Sequence, residues 1–522
     1  MEKIELIKKD IEKQNYEKAE RSLRELILKD KNNYHYQLLL GFIFEKNNKI
    51  NEAIKTYIFA KKLKPTDVVH NLLGNIYIKT KKYSEALYEF ACSIKINKNN
   101  PKTLNNYGLL LIIKRREVES IKYFEDAISL DPNYMDPKYN LLEILEKSNE
   151  FVLLKKFIIK EIKFFPNDEV LKYFYAAYLN LIKKNIEAIN TLKNIKFINH
   201  KQNWEYRRLN LLGKIYDEIK NYKKAFEAHN SANKFLINNF CLSLFSEKKY
   251  YNKIKKLSLI AKKNINPFNL TKNKNSSLFF LVGFPRSGTT LLDTILSSHS
   301  KIEVIEEKPS IENILKEVNS DEKILCQSLD VKNLNIKYYS EIEKYISSKK
   351  INKKIIIDKM PLNLIYSRAI NNIFPEAKII FCLRHPLDVI LSCYFQNFIL
   401  NEAMVNFLDL KRTASLYNYT MEIFNSYSEI SEKNIIKVRY ENLVSNFDTE
   451  LNELINFIGV PYEPEMKNFF KKNPDKKRIR TASYNQVNKP IYKSSRFKWI
   501  NYKEDIEQIN KSVEKWIKFY EY

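Results

Sequence analysis

Gly283 and Gly288 bracket Arg286 in the stretch Phe279-Phe-Leu-Val-Gly-Phe-Pro-Arg-Ser-Gly-Thr-Thr-Leu-Leu292. Glycine lets backbone turn tightly or approach a ligand closely, and this chain of 522 residues has only seven. An apolar β-prone run, the glycine pair and then an amphipathic run describe a strand, a loop and a helix. Backbone N–H groups at such a helix start face a phosphate or a sulfate, and Arg286 adds a cation to that cradle. The spacing Gly283-x-x-x-x-Gly288-Thr289-Thr290 is that of a Walker A loop, but Thr289 stands where the phosphoryl-holding lysine belongs. Ile355-Ile-Ile-Asp358 is too common a pattern to restore a nucleotide-hydrolase reading on its own. A serine-hydrolase reading of Ser287 also fails, because Pro285-Arg286 precede it and no G-x-S-x-G surrounds it.

The elements around the loop alternate. Short β-branched or aromatic runs at 278–284, 355–358, 378–384 and 435–440 read as strands, and helical patterns at 362–373, 386–400 and 441–458 follow the last three. Alternation of this kind predicts a mostly parallel sheet covered on both faces, with ligands bound beyond the strands' C-terminal ends. The residues with chemical potential fall at or just after those ends: Lys359, Arg384 with Ser392 eight positions on, and Tyr440. An arginine fork and a hydroxyl suit a phosphate monoester.

Pro285-Arg-Ser-Gly-Thr-Thr290 resembles the 5′-phosphosulfate loop of sulfotransferases, which use 3′-phosphoadenosine 5′-phosphosulfate (PAPS). Leu383-Arg-His-Pro-Leu-Asp-Val-Ile-Leu-Ser392 resembles the family's 3′-phosphate site, and Arg439-Tyr-Glu-Asn-Leu443 its adenine-contacting strand end. Within the family, the protein-tyrosine sulfotransferase-like branch is the nearest likeness. It shares Arg286 in the loop, the Glu306-Glu307 pair, Ser483-x-x-Gln-Val-x-Lys-Pro490 and Lys498-Trp499, over about residues 275–500. The resemblance implies a P-loop-like α/β sulfotransferase domain with PAPS as sulfuryl donor, PAP as product and no metal required. It implies Glu307 as the base for the acceptor hydroxyl, and Arg286 and Lys359 as neutralisers of the transferring group and leaving oxygen. Ser483 and Lys498 would hold the phosphosulfate; Ser287, Gly288, Thr289 and Thr290 would donate hydrogen bonds; Arg384 and Ser392 would bind the 3′-phosphate and Tyr440 the adenine. Glu307 also reads as a first-turn carboxylate of a helix beginning near Pro309. His299 and His385 read as loop-orienting residues. The branch carries a second arginine where this chain has Gln396, which alters the expected 3′-phosphate site.

The first half repeats. Gly41, Gly74 and Gly108 lie 33 and 34 residues apart, and Gly213 occupies the same place in a later unit. Small residues follow each glycine at fixed offsets: Ala53, Ala86, Ser120 and Ala225, then Ala60, Ser93, Ala127 and Ala232. Weaker copies begin near Ile7, Leu142 and Ala176, and 190–204 stretches the period. The pattern resembles the tetratricopeptide repeat, an antiparallel helix pair whose stacked copies share one core. The expected organisation is an α-helical repeat solenoid over 1–240, a connecting helix and linker over 241–276, and the α/β domain over 277–522.

The net charge of +27, from 89 Lys and Arg against 62 Asp and Glu, invites a nucleic-acid reading. Lysines spread over every helix describe solvated faces instead, and no nucleic-acid partner is expected. The five cysteines form no CxxC pair, which predicts free thiols in a reducing compartment. No apolar run approaches the ~18 residues of a membrane span, the amphipathic N-terminus does not read as a signal peptide, and cytoplasm is the expected location. A peptide or protein tyrosine is the first expected acceptor, held by the repeat groove. Sulfation of a glycan, lipid or small hydroxyl compound is the alternative, and a non-catalytic repeat scaffold with a degenerate nucleotide fold is the other.

Overall fold

The computed structural model describes residues 2–114, 116–148, 150–197, 204–263, 277–316, 330–346, 355–428, 432–470, 491 and 495–522. It divides into two compact units, Met1–Ile182 and Lys183–Tyr522. The first is a run of antiparallel helix pairs, such as Tyr34–Lys46 with Ile50–Leu63 and Pro101–Ile113 with Glu117–Leu130. Asn33, Thr66, Asn100 and Asp168 cap first helices of these pairs by accepting backbone N–H bonds from the opening turn. The small residues at both repeat offsets are fully buried. The repeat glycines are there for contact: an added Cβ would lie 2.5 Å from the Tyr57 ring at Gly41, 2.6 Å from Phe90 at Gly74 and 2.7 Å from Phe124 at Gly108. Each ring therefore packs directly on the partner helix's backbone.

The second unit opens with the helix Asn185–Lys193 and the pair Trp204–Glu218 and Tyr222–Leu236. In that pair the ring over the glycine is His229, whose Nε2 would lie 2.6 Å from a Cβ on Gly213. The helix Lys249–Lys263 packs on Leu410–Ser428, where the Ser258 hydroxyl donates to Glu422 at 2.5 Å. Among the described residues the sheet has five strands: β1 (Leu278–Gly283), β2 (Ile302–Glu306), β3 (Ile355–Lys359), β4 (Lys378–Leu383) and β5 (Ile435–Arg439). Their order is β2-β3-β1-β4-β5 and every pairing is parallel. Phe279, Leu281, Leu292, Ile295, Ile357, Ile380 and Leu454 form the centre of one core cluster against the sheet.

The sheet carries one strand that the residue pattern did not announce, β2, an edge strand reading Ile-Glu-Val-Ile-Glu. The expected helix over 362–373 is a 3₁₀ turn, Pro361–Tyr366, followed by Ser367–Ile373. That over 386–400 stops at Tyr394, and that over 441–458 breaks at Asn446 into Tyr440–Ser445 and Phe447–Ile458. No described helix is long and apolar enough to cross a membrane.

Candidate active site

β1 sits between β3 and β4, so the ends of three adjacent strands deliver Lys359, the Arg286 loop and Arg384 to one edge of the sheet. The loop is tight. Ser287 N–H donates to the Phe284 carbonyl at 3.1 Å, and a Cβ on Gly283 would fall 2.7 Å from the Cys382 carbonyl, so only glycine fits beside β4. Gly288 adopts φ 106°, the left-handed region open to glycine, and Arg286 is held at φ 72°. A non-glycine residue there costs about 1–3 kcal/mol unless its surroundings fix it. Here they do: Arg286 Nε donates to Ser392 Oγ at 3.0 Å, Arg384 Nη1 donates to the Arg286 carbonyl at 3.2 Å, and Cys393 Sγ donates to the Pro285 carbonyl. The helix Thr289–Leu296 then starts with Thr289 and Thr290 buried.

Glu307 is the second strained position, at φ 45°. Its N–H donates to the Lys359 carbonyl at 2.8 Å, which continues the β2–β3 ladder one residue past Glu306, the register partner of Lys359. The Lys359 ammonium is fully buried and meets Glu307 Oε1 at 2.9 Å, Asp293 Oδ2 at 3.4 Å and Glu306 Oε1 at 3.5 Å. Burial alone would lower its pKa, but Asp293, Glu307 and Glu306 together lift it well above the usual lysine value. The expected first-turn capping role of Glu307 is not seen: the next helix, Ser310–Leu315, begins three residues later with no side-chain cap.

Beneath Lys359, burial pushes the Asp358 carboxyl up to about 7 against the opposing effect of the Tyr338 hydroxyl, which donates to it at 2.9 Å. Arg384 Nη2 donates to the Ser495 carbonyl at 2.6 Å, its Asp388 neighbour lies at 3.5 Å, and its guanidinium lies 4.8 Å from the centre of the Tyr440 ring. The same ring faces Gly288, whose added Cβ would approach it to 2.9 Å. Arg286, Gly288, Arg384, Ser392 and Tyr440 are thus linked by direct contacts, and Lys359 with Glu307 forms a second cluster at the neighbouring strand end. Among the described residues, Ser287 Oγ and Arg384 Nε are buried without a hydrogen-bond partner, which leaves two polar groups on that edge unsatisfied.

Lys498 lies in the 3₁₀ segment Lys498–Tyr502 and donates to Asp217 Oδ2 at 2.5 Å, while the Tyr502 hydroxyl donates to Asp217 Oδ1. Trp499 N–H donates to Asp388 at 2.8 Å. Ser483, like the rest of 471–490, lies outside the described residues. His299 joins loops, with Lys301 N–H donating to Nδ1 at 3.0 Å and Nε2 contacting the Pro461 carbonyl at 2.9 Å. His385 stacks on Trp499, and burial with the adjacent Arg384 pushes it down to about 4. Gln396 is partly exposed, with its amide 3.5 Å from the Asn397 carbonyl. Residue patterning did not single out Asp293, Asp388 or Asp217. Asp293 lies five positions past Gly288 on the loop helix, and that offset was the available signal.

Residues 279–464 match the sulfotransferase family, and residues 101–134 match the tetratricopeptide repeat. The chain carries a sulfotransferase-family domain. An uncharacterized protein of Aquifex aeolicus (strain VF5) is 31% identical over 43% of this chain and 30% of its own length. Protein-tyrosine sulfotransferase A of Caenorhabditis elegans is 23% identical over 44% of this chain and 62% of its own length. The chain therefore spans less than two thirds of the length of each of these two relatives. Among solved structures, a tetratricopeptide repeat protein from Parabacteroides merdae ATCC 43184 aligns over 45% of this chain and 91% of its own, 18% identical with a TM-score of 0.36.

Proposed function

We propose that the chain moves a sulfuryl group from PAPS to an acceptor hydroxyl, with a peptide or protein tyrosine as the acceptor. One observation carries this reading. The two residues expected to act on the transferring group and on the acceptor, Arg286 and Glu307, are, among the described residues, the two non-glycine positions held at positive φ around the phosphate loop and its neighbouring strand end. Strain of that kind persists where the surroundings over-determine a geometry, and it clusters at working sites. The residues present suit the donor. Arg286, Ser287 and the start of the helix Thr289–Leu296 form an oxyanion cradle, Arg384 and Ser392 suit a phosphate monoester, and Tyr440 offers a ring face beside Gly288 for a base.

Sulfuryl transfer is an in-line displacement in which the acceptor oxygen bonds to sulfur as the bond from sulfur to the phosphate oxygen breaks. Glu307 takes the acceptor's proton, and its side chain is 38% exposed, open to a macromolecular hydroxyl. Lys359 and Arg286 offset the negative charge that grows on the leaving oxygen and the three sulfuryl oxygens. On this reading Lys498 would exchange Asp217 for the phosphosulfate, the family likeness assigns Ser483 to the same group, and no metal is needed. The tyrosine acceptor is supported by the likeness to the nematode protein-tyrosine sulfotransferase, and the repeat unit supplies acceptor capture. The described cysteines, Cys92, Cys241, Cys382 and Cys393, are unpaired, which supports a cytoplasmic setting. Transfer of radiolabelled sulfate from PAPS into a lysate, followed by identification of the labelled atom, tests the reading. Label on tyrosine supports it, label on a sugar or lipid moves the acceptor class, and no enzyme-dependent label ends it.

A further inference from the structure

The Lys359 ammonium has three N–H donors and, among the described residues, three carboxylate neighbours, which are not equivalent. Glu307 is exposed at the end of β2, and the Glu306 side chain is 30% exposed. Asp293 is different: its side chain is 5% exposed, and it stands on the helix that the phosphate loop begins. A carboxylate on a buried helix face holds its geometry better than one on an exposed loop. From this we infer that Asp293 is a positioning residue, the permanent counter-ion that keeps the Lys359 ammonium aimed while Glu307 and the leaving oxygen exchange on it.

The inference rests on the proposed role of Lys359 toward the leaving oxygen and adds what that role requires. When Glu307 accepts the acceptor's proton it becomes neutral, and its hold on Lys359 weakens at the moment the ammonium is most needed. An ammonium with no solvent exposure and no remaining partner either swings away or gives up its proton. The groups facing Lys359 are Asp293 from the loop helix, Glu306 and Glu307 from the end of β2, and Cys382 from β4. Burial pushes the Cys382 thiol up, so it brings no charge. That leaves Asp293 as the withdrawn anion among the described neighbours.

Asp293→Asn keeps the shape and removes the charge. PAP binding by calorimetry should stay within about threefold of the unmodified enzyme, while kcat falls by roughly tenfold or more near neutral pH. The rate should also acquire an alkaline decline at a lower pH than in the unmodified enzyme, because only two partly exposed carboxylates then oppose the burial of Lys359. Asp293→Glu should restore both rate and profile. An Asp293→Asn enzyme with unchanged kcat and pH profile overturns the inference. So does a pH-independent loss that Asp293→Glu fails to rescue, since that is the signature of a packing defect. Thermal melts give a second readout that needs no acceptor. Asp293→Asn should lower Tm, and Lys359→Met added to it should recover part of the loss, because a neutral pair strands no charge. Additive losses refute the coupling. If unmodified protein binds no PAP, the sulfotransferase reading fails, and the melts still decide whether Asp293 anchors Lys359.

Discussion

Deleting the repeats at residue 240, where the repeat spacing ends, should cripple the sulfotransferase domain, whereas cutting at 182 should not. The helix pair Trp204–Glu218 and Tyr222–Leu236 belongs to the second unit. Asp217 accepts from Lys498 at 2.5 Å and from Tyr502; Asn233 donates to the Tyr394 carbonyl at 2.9 Å, and the Tyr394 hydroxyl donates to Asn230 at 2.8 Å. His229 stacks on Phe395 with ring centres 4.2 Å apart, and Ala232, Leu236 and Tyr206 share a core with Val405 and Leu408. Each hydrogen bond contributes about 1 kcal/mol, less for the Lys498 pair because that side chain is 35% exposed. The aromatic contacts and the buried aliphatic surface add about 1 kcal/mol or more each. The sum, roughly 5 kcal/mol, rivals the whole stability of an ordinary domain, about 5–15 kcal/mol. Urea unfolding followed by circular dichroism should place the midpoint of 241–522 roughly 1–2 M below that of 183–522, if the shorter piece folds at all. Equal midpoints would refute the claim that this pair is structurally part of the enzyme.

Other outcomes follow from the site. Glu307→Gln should leave PAP affinity near normal and lower turnover about 10²-fold; single-turnover transfer of label reads this, and unchanged turnover removes Glu307 as base. Arg286→Gly should relieve the positive-φ strain, so thermal stability holds or rises by about 1 kcal/mol while donor binding collapses; a variant that still binds PAP tightly contradicts the loop assignment. Asp358 has a folded-state pKa of about 7 against an ordinary 3.8, so the folded state holds the proton more tightly than the unfolded chain. Stability from this group is present below pH ~4 and declines toward pH ~7 at up to about 1.4 kcal/mol per pH unit. Asp358→Asn should flatten that slope in denaturation midpoints measured from pH 4 to 8.

The sequence carries the repeat and the loop plainly because each depends on local offsets. Gly41, Gly74 and Gly108 mark where a helix backbone meets Tyr57, Phe90 and Phe124, sixteen residues on, and that aromatic offset was a readable signal. The edge strand Ile302–Glu306 was hidden because Ile-Glu-Val-Ile-Glu is short and two of its five residues are charged, and it acquires its strand character from pairing with β3. Scarce glycine also misleads: Asn48 and Lys81 take positive φ at helix ends closed by local bonds, Lys49 N–H to the Phe44 carbonyl and Lys82 N–H to the Tyr77 carbonyl, whereas Arg286 and Glu307 take it where Arg384 and Lys359 hold their backbone. Asp217 lies 281 residues from Lys498, and no periodicity links such a pair.

The central claim is that the glycine-bounded arginine loop and the two clusters beside it bind a sulfonated adenine nucleotide. Calorimetric titration of the full chain with adenosine 3′,5′-bisphosphate and, separately, with ATP tests it most directly. Tighter binding of the bisphosphate, abolished by Arg384→Ala, is the predicted result, and preference for ATP or indifference to Arg384 would contradict it.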